Sequence, residues 1–443
     1  MNNKIKLKYG LDDKPPLFDT FLYGLQWLAI SLPTIIVVGQ VVAGIHYSES
    51  FAQVNYMQKL FFIMAVTMLA QIFVGHRLPA VIGPATVLLV GISSSRSAGP
   101  DSIYSSILIG GAFLALLSVS GLFAKLESFF TRQVVAVILL LIAFTLTPTI
   151  INLIYPAHVA GRELFHTIYA LVLVFAMFIA SRLLKGVWKS SLIIWALIVG
   201  SFLYVLLVPE YEWMSGGSPA LLSNLFSGLD FRFSLDIGVL ISFLVCFVAL
   251  AINDLGSIQS LGQLLNAPNM DKRVSAGITV TGALNAVAGF VGVIGPVNFS
   301  LSTGIIASTG VASRFTLVPA GIGLLIISLM PGVISFLSGI PPLIIGVILL
   351  YTLCSQIAAG LLSAYSGDSF TFEDGLTIGL PLMLGLIVSF LPDAVVAALP
   401  ALIRPILGNG FVIGTITVLS MEHLVFRKEN RGEKDTGSTS SEA

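Results

Sequence analysis

The sequence predicts an all-α membrane protein of 14 transmembrane segments in a 7+7 inverted repeat, with the third and tenth segments broken. Three observations carry this: a charge-poor composition, a series of apolar runs near membrane-spanning length, and a Val-Ile-Gly-Pro motif that recurs at the same place in each half.

Of 443 residues, 56% are hydrophobic and 10% are charged. Soluble domains carry about 25% charged residues. A water-soluble surface built from this composition would be a continuous apolar patch, whereas a lipid-facing surface has no such cost. A spanning helix needs about 20 mainly apolar residues. Leu60–Val74, Ile107–Ala124, Val134–Leu153, Leu164–Ala180, Ser191–Val208, Ile237–Ile252 and Leu317–Leu337 contain no Asp, Glu, Lys or Arg. Ile340–Leu361, Leu376–Leu391 and Ile406–Met421 extend the series. The two cysteines, Cys246 and Cys354, sit in separate apolar runs and read as small hydrophobes, not as a metal site or disulfide.

The expected spans are 18–43, 58–75, 78–95, 104–124, 130–153, 164–184, 190–208, 236–256, 274–293, 295–312, 315–337, 339–361, 375–391 and 406–425. Basic residues test the count, because Lys and Arg concentrate on the cytoplasmic side. Fourteen spans leave Lys59, Arg96, Arg162, Arg232 and Arg404 on one side and the other 17 of the 22 basic residues on the side of the two termini. Both termini are therefore expected to be cytoplasmic, with the protein multi-pass in the cell (inner) membrane. The organisation that follows is a polar, basic N-terminus over 1–17 that is not a cleavable leader, a first repeat over 18–208, a connector over 209–235, a second repeat over 236–425, and a solvated, disordered tail over 426–443.

Val81-Ile82-Gly83-Pro84 recurs as Val293-Ile294-Gly295-Pro296, opening the third span of each set of seven. An odd number of spans per repeat forces the two copies into opposite orientations, the plan of many secondary transporters. Gly-Pro breaks a helix, and broken backbone at membrane depth is tolerated only inside protein or along a cavity. Each half-helix that follows points unpaired N–H groups and the positive end of its dipole into that space. Ala85 and Thr86 follow the first break, and Asn298, Leu301 and Ser302 follow the second.

Intramembrane carboxylates are costly and usually functional. The eighth span carries Asn253-Asp254-Leu255-Gly256-Ser257, in which Asn253, Gly256 and Ser257 share a face and Asp254 lies beside it. Asp254 is the candidate buried ionisable group, unless it lies at the span end and caps a turn. Gln26 interrupts the first span and needs a partner, in a cavity or locally. Phe129, Phe130, Trp188 and Trp213 read as interfacial anchors. Asp368, Glu373 and Asp374 read as a solvated acidic loop.

Tyr9-Gly10-Leu11-Asp12-Asp13-Lys14-Pro15-Pro16, Gly24-Leu25-Gln26, Asn253-Asp254-Leu255-Gly256 and Gly304-Ile305-Ile306-Ala307-Ser308-Thr309-Gly310-Val311-Ala312-Ser313-Arg314 resemble the nucleobase–ascorbate transporters, also called uracil–xanthine permeases, over about residues 9–425. The resemblance implies a core domain and a gate domain, with substrate carried between the broken third and tenth spans and the eighth. It departs from the family in two places. Asn253 stands where members commonly carry a glutamate, and Leu301 and Ser302 stand where a Gln or Glu and an Asn are usual. A carboxamide offers a donor and an acceptor together, so Asn253 can pair with the lactam edge of a base, but it cannot titrate.

The expected function is secondary active transport of uracil- or xanthine-type nucleobases, with H+ or Na+ symport. The alternatives are another small planar or anionic solute on the same fold, or uncoupled passage. The expected substrate-binding residues are Asn253, Ser302, Leu301, Thr86, Ala85, Gln26 and Asn298, with Asp254 as the coupling group. No cofactor, metal or nucleic acid is expected, and the resemblance implies a homodimer. An enzyme would need a nucleophile–base pair or metal cluster within the spans, yet all five histidines fall near expected ends or loops. Short loops leave no room for a receptor domain.

Overall fold

The apolar runs fold as helices because each buries its backbone hydrogen bonds within itself, as a lipid environment requires. The structure, a computed structural model, describes residues 7–123, 129–156, 161–211, 213, 231–299, 301–366, 370–400 and 403–426. The principal elements are α1 (Leu17–His46), α2 (Ser50–Phe73), β1 (Val81–Pro84), α3 (Thr86–Ser94), α4 (Gly99–Val119), α5 (Arg132–Thr145), α6 (Thr147–Ile154), α7 (Glu163–Leu183) and α8 (Leu192–Leu207) in the first half. The second half has α9 (Ile237–Leu265), α10 (Met270–Val291), β2 (Pro296–Phe299), α11 (Leu301–Thr309), α12 (Val318–Ser328), α13 (Pro331–Ser338), α14 (Pro342–Ala364), α15 (Phe372–Ser389) and α16 (Gly410–Ser420).

Among the described residues, nine helical segments are long and apolar enough to cross a membrane. A bent pair, two shorter apolar helices and the two broken segments β1–α3 and β2–α11 bring the total to the expected fourteen. The chain is a multi-pass membrane protein. The fold is one of inverted halves: α4, the fourth span, packs on α10, the ninth, and in the mirrored place α2 packs on α12. These elements, with α1, α9 and the broken spans, form the core domain. α5–α8 and α14–α16 form the gate domain, centred where α5 packs on α14.

Three boundaries differ from expectation. The eighth span runs on to Leu265, so Asp254 lies within α9 and caps no helix end. The eleventh, expected over 315–337, bends by 91° between Ser328 and Pro331; Pro331 cannot continue the preceding helix, and α13 folds away. The supposed acidic loop is in part the start of α15. Thr371 and Asp374 form a capping box, and Asp374 is buried and accepts a hydrogen bond from Gln133 Nε2 at 2.9 Å; Asp368 lies outside the described residues. So do residues 1–6, most of the 209–235 connector and the tail from 427.

The chain just ahead of α1 is held against the second half. Tyr9 pairs with Val311 as a parallel bridge. Lys8 N donates to Gly310 O (2.7 Å), Ala312 N to Tyr9 O (2.9 Å) and Arg314 N to Leu11 O (3.1 Å). Arg314 also pairs with Asp12 at 2.8 Å. This strap ties the chain ahead of α1 to the end of the second half-helix.

The α4–α10 contact is backbone on backbone. A Cβ on Gly282 would stand 2.5 Å from Ala115 N, and Gly111 and Gly289 are similarly crowded by the opposite helix. Small residues permit such approach, which drives helix association in lipid. Gly379 of α15 has open space instead. Gly282→Val is expected to lower the thermal midpoint of the detergent-solubilised protein sharply, by more than the ~1–3 kcal/mol of ordinary overpacking because backbone must move. Gly379→Ala is expected to leave it unchanged or raise it slightly.

Candidate functional site

β1 and β2 cross as an antiparallel pair at the centre of the core domain, with Val81 opposite Phe299, Ile82 opposite Asn298, Gly83 opposite Val297 and Pro84 opposite Pro296. Ala85 N donates to Gly295 O at 2.9 Å and extends the ladder. The two motif glycines are fixed by space: a Cβ on Gly83 would enter the Phe299 ring, and one on Gly295 would strike the Asn285 side chain. The half-helices α3 and α11 leave this crossing in turn. The N-cap of α3, Ala85, offers no side-chain acceptor, so the first N–H groups of α3 have no internal cap.

One buried carboxylate holds the crossing. Asp254, on α9, has no exposed surface. Its Oδ1 accepts from Asn298 N–H (2.8 Å) and Asn298 Nδ2–H (2.6 Å), and its Oδ2 accepts from the Thr281 hydroxyl (2.8 Å) of α10. Leu78 N–H donates to His76 Nδ1 at 2.9 Å. That puts the imidazole proton on Nε2, which donates to Asn298 Oδ1 at 2.9 Å. Gln71 Nε2 donates to Thr281 Oγ1 (3.0 Å) and to Gly277 O (2.9 Å). Asn285 Nδ2 donates to Thr281 O and Pro296 O, both at 2.8 Å. The network ties the end of α2, both strands, α9 and α10 into one unit. The turn feeding it has Arg77 at φ 56°, its carbonyl and that of His76 held by Arg273 Nη1.

The sequence-derived candidates divide into two groups. Asn298, Ser302, Asp254 and Ala85 face inward. Asn298 spends its carboxamide on Asp254 and His76, and Ser302 Oγ accepts from Val81 N–H at 2.8 Å and donates to Phe299 O at 3.2 Å. Both are fully buried, so their side chains serve the crossing rather than an open site. Ala85 has its N–H engaged as described. Leu301 opens α11.

Asn253, Thr86 and Gln26 have capacity to spare. Asn253 is half-buried and its side chain has no hydrogen-bond partner among the described residues. It begins an accessible stripe on α9 that continues through Gly256, Ser260 and Gln263. The accessible stripe of the preceding half of α9, including Ile237 and Ile241, is apolar. That switch along one helix sets an apolar accessible face on one half against a polar one on the other. Gly256 and Gly304 of α11 both border open space. Gln26 Nε2, on α1, is buried without a partner among the described residues, and α1 packs against β1 and α3. Thr86 Oγ1 accepts from Gln356 Nε2 at 3.3 Å, a hydrogen bond from the gate helix α14 to the first half-helix, and Gln356 Oε1 is buried without a partner among the described residues.

Sequence reasoning missed His76, Gln71, Thr281, Asn285 and Gln356. The legible signal was a polar i, i+4 pair, Thr281 and Asn285, inside an apolar span, and a lone Gln inside another. His76 gave none, because its position at a span end looked solvated. No group of three or more His, Cys, Asp or Glu among the described residues could hold a metal ion.

A family model described as the Permease family matches residues 18–394. The chain belongs to this family. It is the nucleobase–ascorbate transporter family that the Gly304–Arg314 stretch resembles, and the protein is a permease rather than an enzyme. Relatives of the permease include a putative purine permease of Clostridium perfringens, 29% identical over 94% of this chain and 93% of that protein. The xanthine permease of Bacillus subtilis is 25% identical over 94% of this chain and 96% of its own. The uric acid permease PucJ of the same organism is 23% identical over 82% of this chain and 81% of its own. Among solved structures, the transmembrane domain of the cyanobacterial bicarbonate transporter BicA superposes with a TM-score of 0.61 at 16% identity, covering 84% of this chain and 96% of that one. The SLC26A9 structure has a TM-score of 0.55 at 13% identity, covering 90% of this chain and 64% of that one. At these identities the likeness establishes the fold.

Asp254→Ala leaves two Asn298 N–H groups and the Thr281 hydroxyl unmatched in the permease interior. Each buried unsatisfied group costs about 1–3 kcal/mol, so the unfolding midpoint in detergent should fall well below wild type, with His76→Ala falling less. Asn253→Ala, on the accessible face, should leave the midpoint within experimental scatter.

Proposed function

We propose that this permease is a secondary active transporter of nucleobases, bound at the tips of α3 and α11 by carboxamides. The observation that carries the reading is a set of unmet hydrogen-bonding groups on elements packed around the half-helices: Gln26 Nε2 as donor, Gln356 Oε1 as acceptor, and the whole Asn253 carboxamide. A nucleobase edge alternates ring N–H and C=O, so paired donors and acceptors match it. Leaving such groups unmet is costly unless a solute or water completes them. The purine, xanthine and uric acid permeases among the relatives support the same solute class. Thr86 and the backbone N–H groups of the first turns of α3 and α11, including Leu301 and Ser302, supply the remaining donors in this reading.

The coupling proposal is H+ or Na+ symport. Asn253 cannot titrate, so a proton, where one is carried, passes through Asp254, the carboxylate that reaches the crossing. The basic-residue split supports an inner-membrane protein with both termini cytoplasmic, which makes the polar stripe of α9 an inward-facing vestibule. The exposed apolar side chains of α7, among them Leu164, Ile168, Leu171 and Phe175, give the gate domain a face for lipid or for the second copy of a homodimer.

Proteoliposome uptake tests the reading. Radiolabelled xanthine and uracil should accumulate, and Asn253→Ala should cut uptake about tenfold, the equivalent of ~1.4 kcal/mol of lost pairing. Gln26→Ala should act in the same direction. Uptake of bicarbonate or another small anion with no response to any base would overturn the nucleobase assignment. An imposed pH gradient should drive wild-type uptake, and Asp254→Asn should abolish that response while leaving base exchange. Dependence on Na+ with no effect of Asp254→Asn would assign coupling to the cation.

A further inference from the structure

The core domain carries a cavity on the face opposite the N-terminus. It has a volume of about 340 Å³, within the range of small-molecule sites. Its walls come from the turn after α1, from α2, α4, the end of α10, and Phe231 and Arg232 ahead of α9. No part of the lining belongs to α5–α8 or α14–α16, so the cavity stands apart from the core–gate seam where Gln356 meets Thr86.

Two features of the lining are specific. The walls are aromatic: Tyr47, Tyr56, Tyr104 and the tilted pair Phe231–Phe290, whose ring centroids lie 5.1 Å apart. Lys59 also opens onto the cavity from α2. It lies nine residues into that helix, about 14 Å along its axis. It is half-buried, and among the described residues it has neither a hydrogen bond nor an ion pair. A half-buried lysine without a partner is costly to desolvate, and an anion beside it offsets that cost. Arg232 and Asp101, of opposite charge, also line the cavity, so Lys59 is the charge left for a ligand to meet. Ring faces favour a flat aromatic body, and the unpaired ammonium favours one negative charge on it.

We propose that this outer cavity is a binding site for a planar aromatic monoanion, with Lys59 as its counter-charge and the tyrosine and phenylalanine rings as its walls. The site is independent of the nucleobase reading, since it shares no residue with the half-helix tips.

The test is isothermal titration calorimetry of the full chain in detergent, with orotate, nicotinate and benzoate as probes and their uncharged carboxamides as controls. At least one carboxylate should bind one per chain, with its carboxamide tenfold weaker or more. Lys59→Gln should weaken binding at least tenfold, and Ala52→Trp, which fills the cavity from α2 without removing a charge, should abolish it. Asn253→Ala, which tests the half-helix site, should leave it unchanged. The assignment is overturned if none of the three carboxylates binds, if Lys59→Gln and Ala52→Trp both bind as wild type does, or if Asn253→Ala removes the binding. Size-exclusion profiles matching wild type qualify each variant; where Lys59→Gln does not fold, Ala52→Trp and the carboxylate–carboxamide difference decide.

Discussion

The buried contact between Asp254 and Asn298 is the constraint from which the rest of the core follows. Breaking two helices at membrane depth frees backbone groups that lipid cannot satisfy. Here the freed strands pair with each other, and the carboxylate of a neighbouring unbroken helix takes both the main-chain and the side-chain N–H of Asn298. A carboxylate this deep carries a large desolvation cost. Three donors offset it, and each donor belongs to an element that must be held: β2 through Asn298, and α10 through Thr281.

The consequence for function is a division of labour between adjacent residues of α9. Asp254 faces the crossing and accepts three hydrogen bonds, while Asn253, one residue earlier and about 100° round the helix, faces accessible space and has no side-chain partner among the described residues. A rigid crossing positions two uncapped half-helices, and the accessible face beside it supplies carboxamides rather than carboxylates. The only hydrogen bond described from the gate to the first half-helix, Gln356 to Thr86, is long and leaves Gln356 Oε1 unmet. It is thus suited to being exchanged as the two domains move.

Much of this was legible in residue order. Span number came from apolar run length and the distribution of basic residues, because both are set by the bilayer and not by neighbours. The broken spans came from Gly-Pro, whose effect is local and covalent. Two stretches of the family resemblance, Tyr9–Pro16 and Gly304–Arg314, lie far apart in sequence; in the fold they touch, through the Tyr9–Val311 bridge and the Arg314–Asp12 pair. The Thr371–Asp374 capping box is readable by spacing, but its acidic residues also suit a solvated loop, and only packing separates the two.

The sequence by itself determined the class: a chain this apolar, with Val-Ile-Gly-Pro at 81–84 and 293–296, must put helices in lipid and two broken segments inside protein. Only the tertiary structure decided what each polar side chain does. The side chains of Asn298 and Ser302, expected at the substrate, are buried and bonded within the crossing, while His76, at an expected span end, is part of its interior. Helical spacing tells which residues share a face, but a face acquires its chemistry from whatever packs on it. The partners of Asp254 at Thr281 and Asn298 lie 27 and 44 residues away, beyond the reach of any local pattern.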